Sequence, residues 1–337
     1  MSRKLEILII GSAPGSFVQD DIDIFSKIGK VKSIYTSGFG KDLGKTIRVL
    51  FKSIYETLRC QLIVSWFADY HSVLPVIIAR TLRKPFIAIA GGFDVIAMPE
   101  IDWGAWIHWQ RRLAVKLTFH LATDIWCQSH FTKHNLYQRD RRLNSRVIYL
   151  GIEPTALEPS STLIKDPKIV LTIGLVYSER RYLVKGLDRW LKLAQRNPQY
   201  HFRWIGFSAG MYPKIESLPR NCQLEPPLKM KELIPFYQEA SIYCQPSRME
   251  TFGRSLLESM LFGCIPIISS ETALPEIAGP VGIVVSPDAW ENIDLTEIQK
   301  NFQLSAEQIR ERAIFNFSLS QREEQIMQRV KEILNAR

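Results

Sequence analysis

Short runs of apolar and β-branched residues alternate with helix-length amphipathic stretches, and the alternation occurs twice. The first series runs Glu6–Ile10, Val31–Tyr35, Gln61–Trp66, Phe86–Ala90, Asp124–Gln128 and Val147–Tyr149. The second runs Lys168–Ile173, His201–Ile205, Ser241–Gln245, Ile265–Ser269 and Val281–Val285. Strands separated by helix-length segments predict βαβ units and a parallel sheet. Between the series, Gly151–Pro167 holds three prolines and adjacent serines, a linker composition. Two doubly wound α/β domains are expected, which the 337 residues accommodate at roughly 150 per domain. The stretch Ser305–Leu334 reads as one helix.

Composition removes several classes. With 46% apolar and 23% charged residues, the chain is neither disordered nor fibrous. No apolar run approaches the ~18 residues of a membrane span. The start, Met1–Ile10, carries Glu6 in a short apolar stretch and reads as a first strand, with no export expected. The five cysteines are scattered without a Cys-x-x-Cys, which fits a reducing cytoplasm and argues against a zinc site.

The charge is uneven. Residues 1–150 hold 21 Lys+Arg against 12 Asp+Glu, whereas residues 151–337 hold 22 of each. Basic residues peak from Arg111 and Arg112 to Arg146, just after Trp103, Trp106 and Trp109. Two readings stand side by side. One is an anionic membrane surface meeting Trp and Lys/Arg. The other is a solvated basic face with the tryptophans in the core. Nucleic acid ranks last, because no nucleic-acid motif accompanies the charge.

The most informative segment is Gln245–Pro266, QPSRMETFGRSLLESMLFGCIP. It follows a strand and opens a helix, with Glu250 in the loop and Glu258 two turns into the helix. Backbone N–H groups at Thr251 and Gly253 would meet a phosphate at the helix start. The string resembles the signature of the retaining glycosyltransferases of family 4: Pro-Ser, Glu, an aromatic-Gly pair, a second Glu, then Gly and Pro before a strand. Further stretches are similar in the family's order: Val147–Glu153, Leu171–Gly174 with Lys185–Asp188, Phe202–Gly206, and Ala273–Glu276 through Pro287.

That resemblance implies a GT-B fold, with two Rossmann-like domains facing a cleft. Residues 1–153 would bind the acceptor, 154–167 would link, and 168–310 would bind the nucleotide-sugar donor. A helix over 311–337 would pack back on the first domain. Glu258 would hydrogen-bond the ribose, Glu250 the donor sugar, and Lys185 would neutralise the diphosphate. Thr251, Phe252 and Gly253 would present backbone N–H groups. Ser247 and Gly174 would line the donor site, and Pro226–Leu228 would meet the base. The expected activity is retaining transfer from a UDP- or GDP-sugar to a lipid-linked or saccharide acceptor. It would need no metal or other cofactor, and would take place in the cytoplasm at the inner membrane face. The transition state would be oxocarbenium-like, the leaving phosphate taking the acceptor proton. A catalytically silent binding protein and a sugar-nucleotide epimerase on the same fold are the alternatives.

Departures from the family pattern are visible. Leu175 follows Gly174 where an arginine is usual, leaving Arg180 or Arg181 as substitutes. Gly91 stands where many members carry a histidine, while Asp94 is kept and reads either as a cleft residue or as a helix cap. Gly11 begins a turn that reads as a diphosphate lining or as plain turn chemistry. His108 and His120 are candidate replacements for the histidine. Asp21-Ile-Asp23, within the first helix region, reads as chance or a dipole-favoured helix start rather than a metal motif, and His130 with His134 as surface or acceptor-side residues.

Overall fold

The computed structural model describes residues 4–12, 14–36, 43–154, 165–214 and 217–336. The chain divides into two compact units, residues 1–150 with 319–337, and residues 151–318. Most of the predicted linker lies outside the described residues.

Unit 1 runs β1 (Leu5–Gly11), α1 (Ser16–Ile28), β2 (Gly29–Tyr35), α2 (Leu43–Arg59), β3 (Leu62–Trp66), α3 (Tyr70–Thr81), β4 (Phe86–Ala90), α4 (Trp109–Leu121), β5 (Asp124–Cys127), α5 (His130–Arg139) and β6 (Arg146–Val147). The strands form one parallel sheet in the order β2-β1-β3-β4-β5-β6. Every residue of β3 and β4 is buried, because helices cover both faces of such a sheet and leave no polar side.

Unit 2 runs β7 (Asp166–Val176), α6 (Glu179–Lys185), α7 (Leu187–Arg196), β8 (His201–Phe207), β9 (Cys222–Glu225), α8 (Met230–Glu239), β10 (Ala240–Gln245), α9 (Arg254–Leu261), β11 (Ile265–Ser269), α10 (Leu274–Ala278), β12 (Ile283–Val285), α11 (Leu295–Asn301) and α12 (Ala306–Phe317). Its parallel sheet has the order β12-β11-β10-β7-β8-β9. Edge strand β9 was not expected: only Leu224 of its four residues is buried, so it carries no apolar run. The core on the α7 side holds Trp190 edge-on to Trp204, centroids 5.5 Å apart.

The chain then returns to unit 1 as α13 (Leu319–Asn335). The single helix expected over 305–334 is therefore two. Ser318 adopts extended backbone after α12 and bridges to Ile152, which ends one helix before the next begins. The return starts at Leu319 rather than at 311. A buried ion pair fixes α13 against α1: Arg322 Nε and Nη2 each lie 2.8 Å from the carboxylate of Asp21. Arg322 Nη1 also donates to the carbonyls of Ile148 and Tyr149, at 3.1 and 2.7 Å. Trp66 Nε1 donates to Asp21 at 3.0 Å. The reading of Asp21 as a helix-start residue is thus corrected, since it lies in mid-helix and fully buried.

Strand order reverses direction between β1 and β3 in unit 1, and between β7 and β10 in unit 2. Ligands of open parallel sheets bind outside the carboxyl ends of the strands at such points.

Candidate active site

The reversal point of unit 2 gathers several of the residues singled out from the sequence. Strand β7 shifts register between Ile173 and Val176, and Gly174 and Leu175 occupy that irregularity. Lys185 closes α6, and Glu250 sits in the loop leaving β10. Lys185 Nζ lies 2.6 Å from Glu250 Oε2, and Gln245 Nε2 donates to the same oxygen at 3.0 Å. Both members of the pair are mostly buried. In the same loop, Gln245 Oε1 and Ser247 Oγ are buried polar atoms without hydrogen-bond partners. Buried polar atoms are rarely left unpaired, so these two call for a partner.

One turn into α9, Glu258 is buried. Tyr237 donates to its Oε2 at 2.8 Å and Arg254 Nε to its Oε1 at 3.2 Å. Burial, with Glu258 adjacent, pushes the Tyr237 hydroxyl well above its ordinary range, so it stays a donor. Thr251, Phe252 and Gly253 form the turn into α9, and Gly253 is its left-handed N-cap. Phe252 is buried and packs edge-on to Phe317, centroids 5.7 Å apart.

Sequence reading passed over Arg248, although it lies inside the informative string. Its guanidinium grips Asp188 with two 2.6 Å hydrogen bonds, and Nη1 also donates to Leu183 O at 3.0 Å. Arg248 thereby ties the loop after β10 to the α6–α7 corner that positions Lys185. Gly186 completes the tie, since at φ +72° a Cβ would sit 2.0 Å from Pro246 O. Gly174 differs: a Cβ there would meet only ordinary contacts, 3.5 Å from Trp204 and 3.6 Å from Lys185. Packing inside unit 2 does not require that glycine.

The remaining donor-side residues lie around this centre or apart from it. Leu175 is exposed. Arg180 is exposed on α6, and Arg181 lies over the Tyr177 ring, 5.4 Å from its centroid. Leu228 is half-buried in the turn between β9 and α8. Gly11 belongs to unit 1, where its carbonyl accepts from Thr36 N at 2.9 Å.

Asp94 sits just beyond β4 in unit 1, wholly buried. It accepts N–H groups from Ala68 at 2.9 Å, Gly91 at 3.0 Å and Gly92 at 2.8 Å. Burial pushes its pKa up to about 6, against the pull of those donors. Next to it, the ring of Phe67 fills the space over Gly91, where a Cβ would fall 1.9 Å from Phe67 Cε1. Phe67 holds φ +67°, a strained value for a bulky residue. Any side chain at position 91 would thus collide with the Phe67 ring as it stands.

The tryptophan triad divides. Trp106 is buried and donates to Asp94 O at 2.7 Å, so its expected membrane-side role is corrected. Trp103 is half-buried against Phe93, whereas Trp109 at the start of α4 is 64% exposed. Trp103 and Trp106 precede the helix that Trp109 opens. Arg111 packs over Tyr70 and Phe93, Arg112 is exposed, and His108 Nε2 lies 3.2 Å from Asp102. His120 Nε2 meets Asp140 at 2.9 Å.

Residues 158–300 match the profile of a family described as glycosyl transferases group 1. The fold is GT-B. Sucrose-phosphate synthase from Thermosynechococcus elongatus superposes with a TM-score of 0.77 at 17% identity, over 99% of this chain and 100% of that one. Anabaena HepE, solved with UDP and glucose, superposes at 0.73 with 16% identity, over 97% and 99%. An uncharacterized glycosyltransferase of Haemophilus influenzae is 28% identical over 123 residues, 34% of this chain and 33% of that protein. The match thus spans about a third of that curated relative's length. Glu250, Glu258 and Lys185 of this GT-B chain lie inside the matched region.

Proposed function

We propose that the chain transfers a sugar from a nucleotide sugar, UDP- or GDP-linked, to a lipid-linked or saccharide acceptor, with retention at the anomeric carbon. The observation that carries this reading is the convergence at the β7/β10 reversal of Lys185, Glu250, Glu258 and two unpaired buried polar atoms. Lys185 would meet the charge that develops on the departing diphosphate. Preorganised charge at that position commonly supplies a factor of ~10²–10³ in rate. Glu250 orients Lys185 and has a second oxygen for sugar hydroxyls. Glu258, held by Tyr237 and Arg254, would take the ribose. The acceptor hydroxyl would lose its proton to the leaving phosphate, and a lysine with a helix start would stand in for a metal ion. Glycosyltransferase matches support the donor class, and HepE supports UDP as the first nucleotide to try. The basic first unit supports an acceptor presented at the cytoplasmic membrane face.

Calorimetric titration with UDP, GDP, ADP and CDP tests this. One nucleotide should bind, and Glu258→Ala should weaken it by about 1–3 kcal/mol, the scale of hydrogen bonds lost from a buried charged group. Binding by none of the four, or binding indifferent to Glu258→Ala, overturns the proposal.

A further inference from the structure

Helix α2 exposes large apolar residues while burying small polar ones. The small polar residues Ser53 and Thr57 are buried, while Ile47, Phe51, Tyr55 and Leu58 are exposed, Phe51 at 68%. Their spacing of four, four and three places them in one stripe along the helix. Arg48, Lys52 and Arg59 form a second exposed stripe beside it. The single acid of α2, Glu56, is turned away and pairs with Lys32 on β2 at 2.6 Å.

The pattern continues beyond one helix. From β2 onward the strand order runs in one direction, so right-handed crossovers put α2, α3 and α4 on the same sheet face. They pack side by side there. Helix α3 adds exposed Tyr70 and Ile77, and α4 adds Trp109 and Leu113. Across the three helices the sequence has eight Lys+Arg and one Asp+Glu. Unit 1 as a whole carries 25 Lys+Arg against 15 Asp+Glu, and unit 2 carries 18 against 19.

We propose that the outer face of α2, continued by α3 and α4, docks unit 1 onto an anionic lipid bilayer. An apolar stripe flanked by cations suits a helix lying in the headgroup plane, with its apolar side chains at the acyl boundary and its Lys/Arg on lipid phosphates. A protein partner would need acidic groups matching the stripe on α2 and the scattered exposed cations Arg80 and Arg112 of α3 and α4, whereas a bilayer presents anions in every direction. Among the described residues no helix is long and apolar enough to cross a membrane, so the contact would be peripheral. The inference deepens the membrane-side placement of the acceptor and is independent of nucleotide binding.

Co-sedimentation with vesicles tests it, using phosphatidylcholine alone or mixed with phosphatidylglycerol. Binding should require the anionic lipid and should fall as salt rises. The Phe51→Glu/Leu58→Glu variant should lose most of it, although these exposed positions leave the fold intact by thermal melting. Arg48→Gln/Lys52→Gln/Arg59→Gln should lower partitioning on the order of a hundredfold at low salt, at roughly fivefold per charge. Should the glutamate variant fail to fold, the glutamine variant gives the same decision. Failure of the wild type to bind anionic vesicles while it still binds a nucleotide overturns this inference and spares the proposed function. Vesicle binding unchanged in both variants also overturns it. So does a dimer in sedimentation velocity that Phe51→Glu dissociates without any vesicle binding, which would make a second copy the occupant.

Discussion

Lys185 and Glu250, 65 residues apart, meet as a 2.6 Å ion pair beyond the ends of two adjacent strands. The ammonium has three N–H donors and Glu250 engages one, so the pair orients the lysine without exhausting it. Lys185→Met should keep the fold and lower kcat by roughly 10²–10³, the scale of losing one charge-stabilising donor. Glu250→Gln should lower kcat less. Single-turnover kinetics with the donor found by titration would measure both. A Lys185→Met enzyme of undiminished kcat would remove the lysine from the chemistry.

Two glycines of the same region should respond oppositely. Gly186→Ala forces a Cβ to 2.0 Å from Pro246 O at φ +72°, so unit 2 should melt roughly 5 °C lower or more. Gly174→Ala meets only ordinary contacts and should leave melting unchanged. If the donor passes beside Lys185, the added methyl should still weaken nucleotide-sugar binding by about 1–3 kcal/mol, as in an overpacked site. Differential scanning calorimetry with and without nucleotide separates the two responses.

The Phe67 ring and Gly91 should be energetically coupled. Gly91→His alone should destabilise strongly, because its Cβ would fall within the Phe67 ring. Adding Phe67→Ala vacates that space and relieves the left-handed φ of a bulky side chain, so the double variant should recover part of the loss. A double-mutant cycle by denaturant unfolding should show a coupling of about 0.5–3 kcal/mol. Additive effects would mean that the ring does not exclude the histidine.

Asp94 should leave a signature in the pH dependence of stability. Its folded pKa, pushed up to about 6 by burial, lies above the ordinary 3.8. The folded state therefore holds the proton longer than the unfolded chain does. The group should remove stability as pH rises from about 4 to 6.5, by up to about 3 kcal/mol. In Asp94→Asn that decline should vanish, whatever the variant's absolute stability. Isothermal denaturation across this range checks the slope.

Periodicity located the sheet well where strands are buried on both faces. Phe86–Ala90 and Ile265–Ser269 have the same bounds in sequence and structure. It failed at the half-exposed edge, where Cys222–Glu225 pairs through backbone alone and buries one side chain. The helix break at Ser318 has no Gly or Pro to announce it. Within the candidate site, Glu250 and Glu258 drew attention because the string around them is distinctive, and Lys185 because Lys185–Asp188 resembles a second stretch of the family. Tyr237, Gln245 and Arg248 became visible only through the strand order that brings them to those residues. Asp21 was illegible for the same reason, its partner being 301 residues away.

That distance bears on how the chain is made. Unit 1 begins at the first strand, yet its last helix follows all 168 residues of unit 2. At synthesis rates of roughly 5–20 residues per second, on the order of ten to thirty seconds separate Tyr149 from Arg322. Throughout that interval the nascent chain lacks the cation for Asp21, and a buried carboxylate without its partner is destabilised by about 3–5 kcal/mol. The unit translated first is thus completed last, only once the whole of unit 2 has been made.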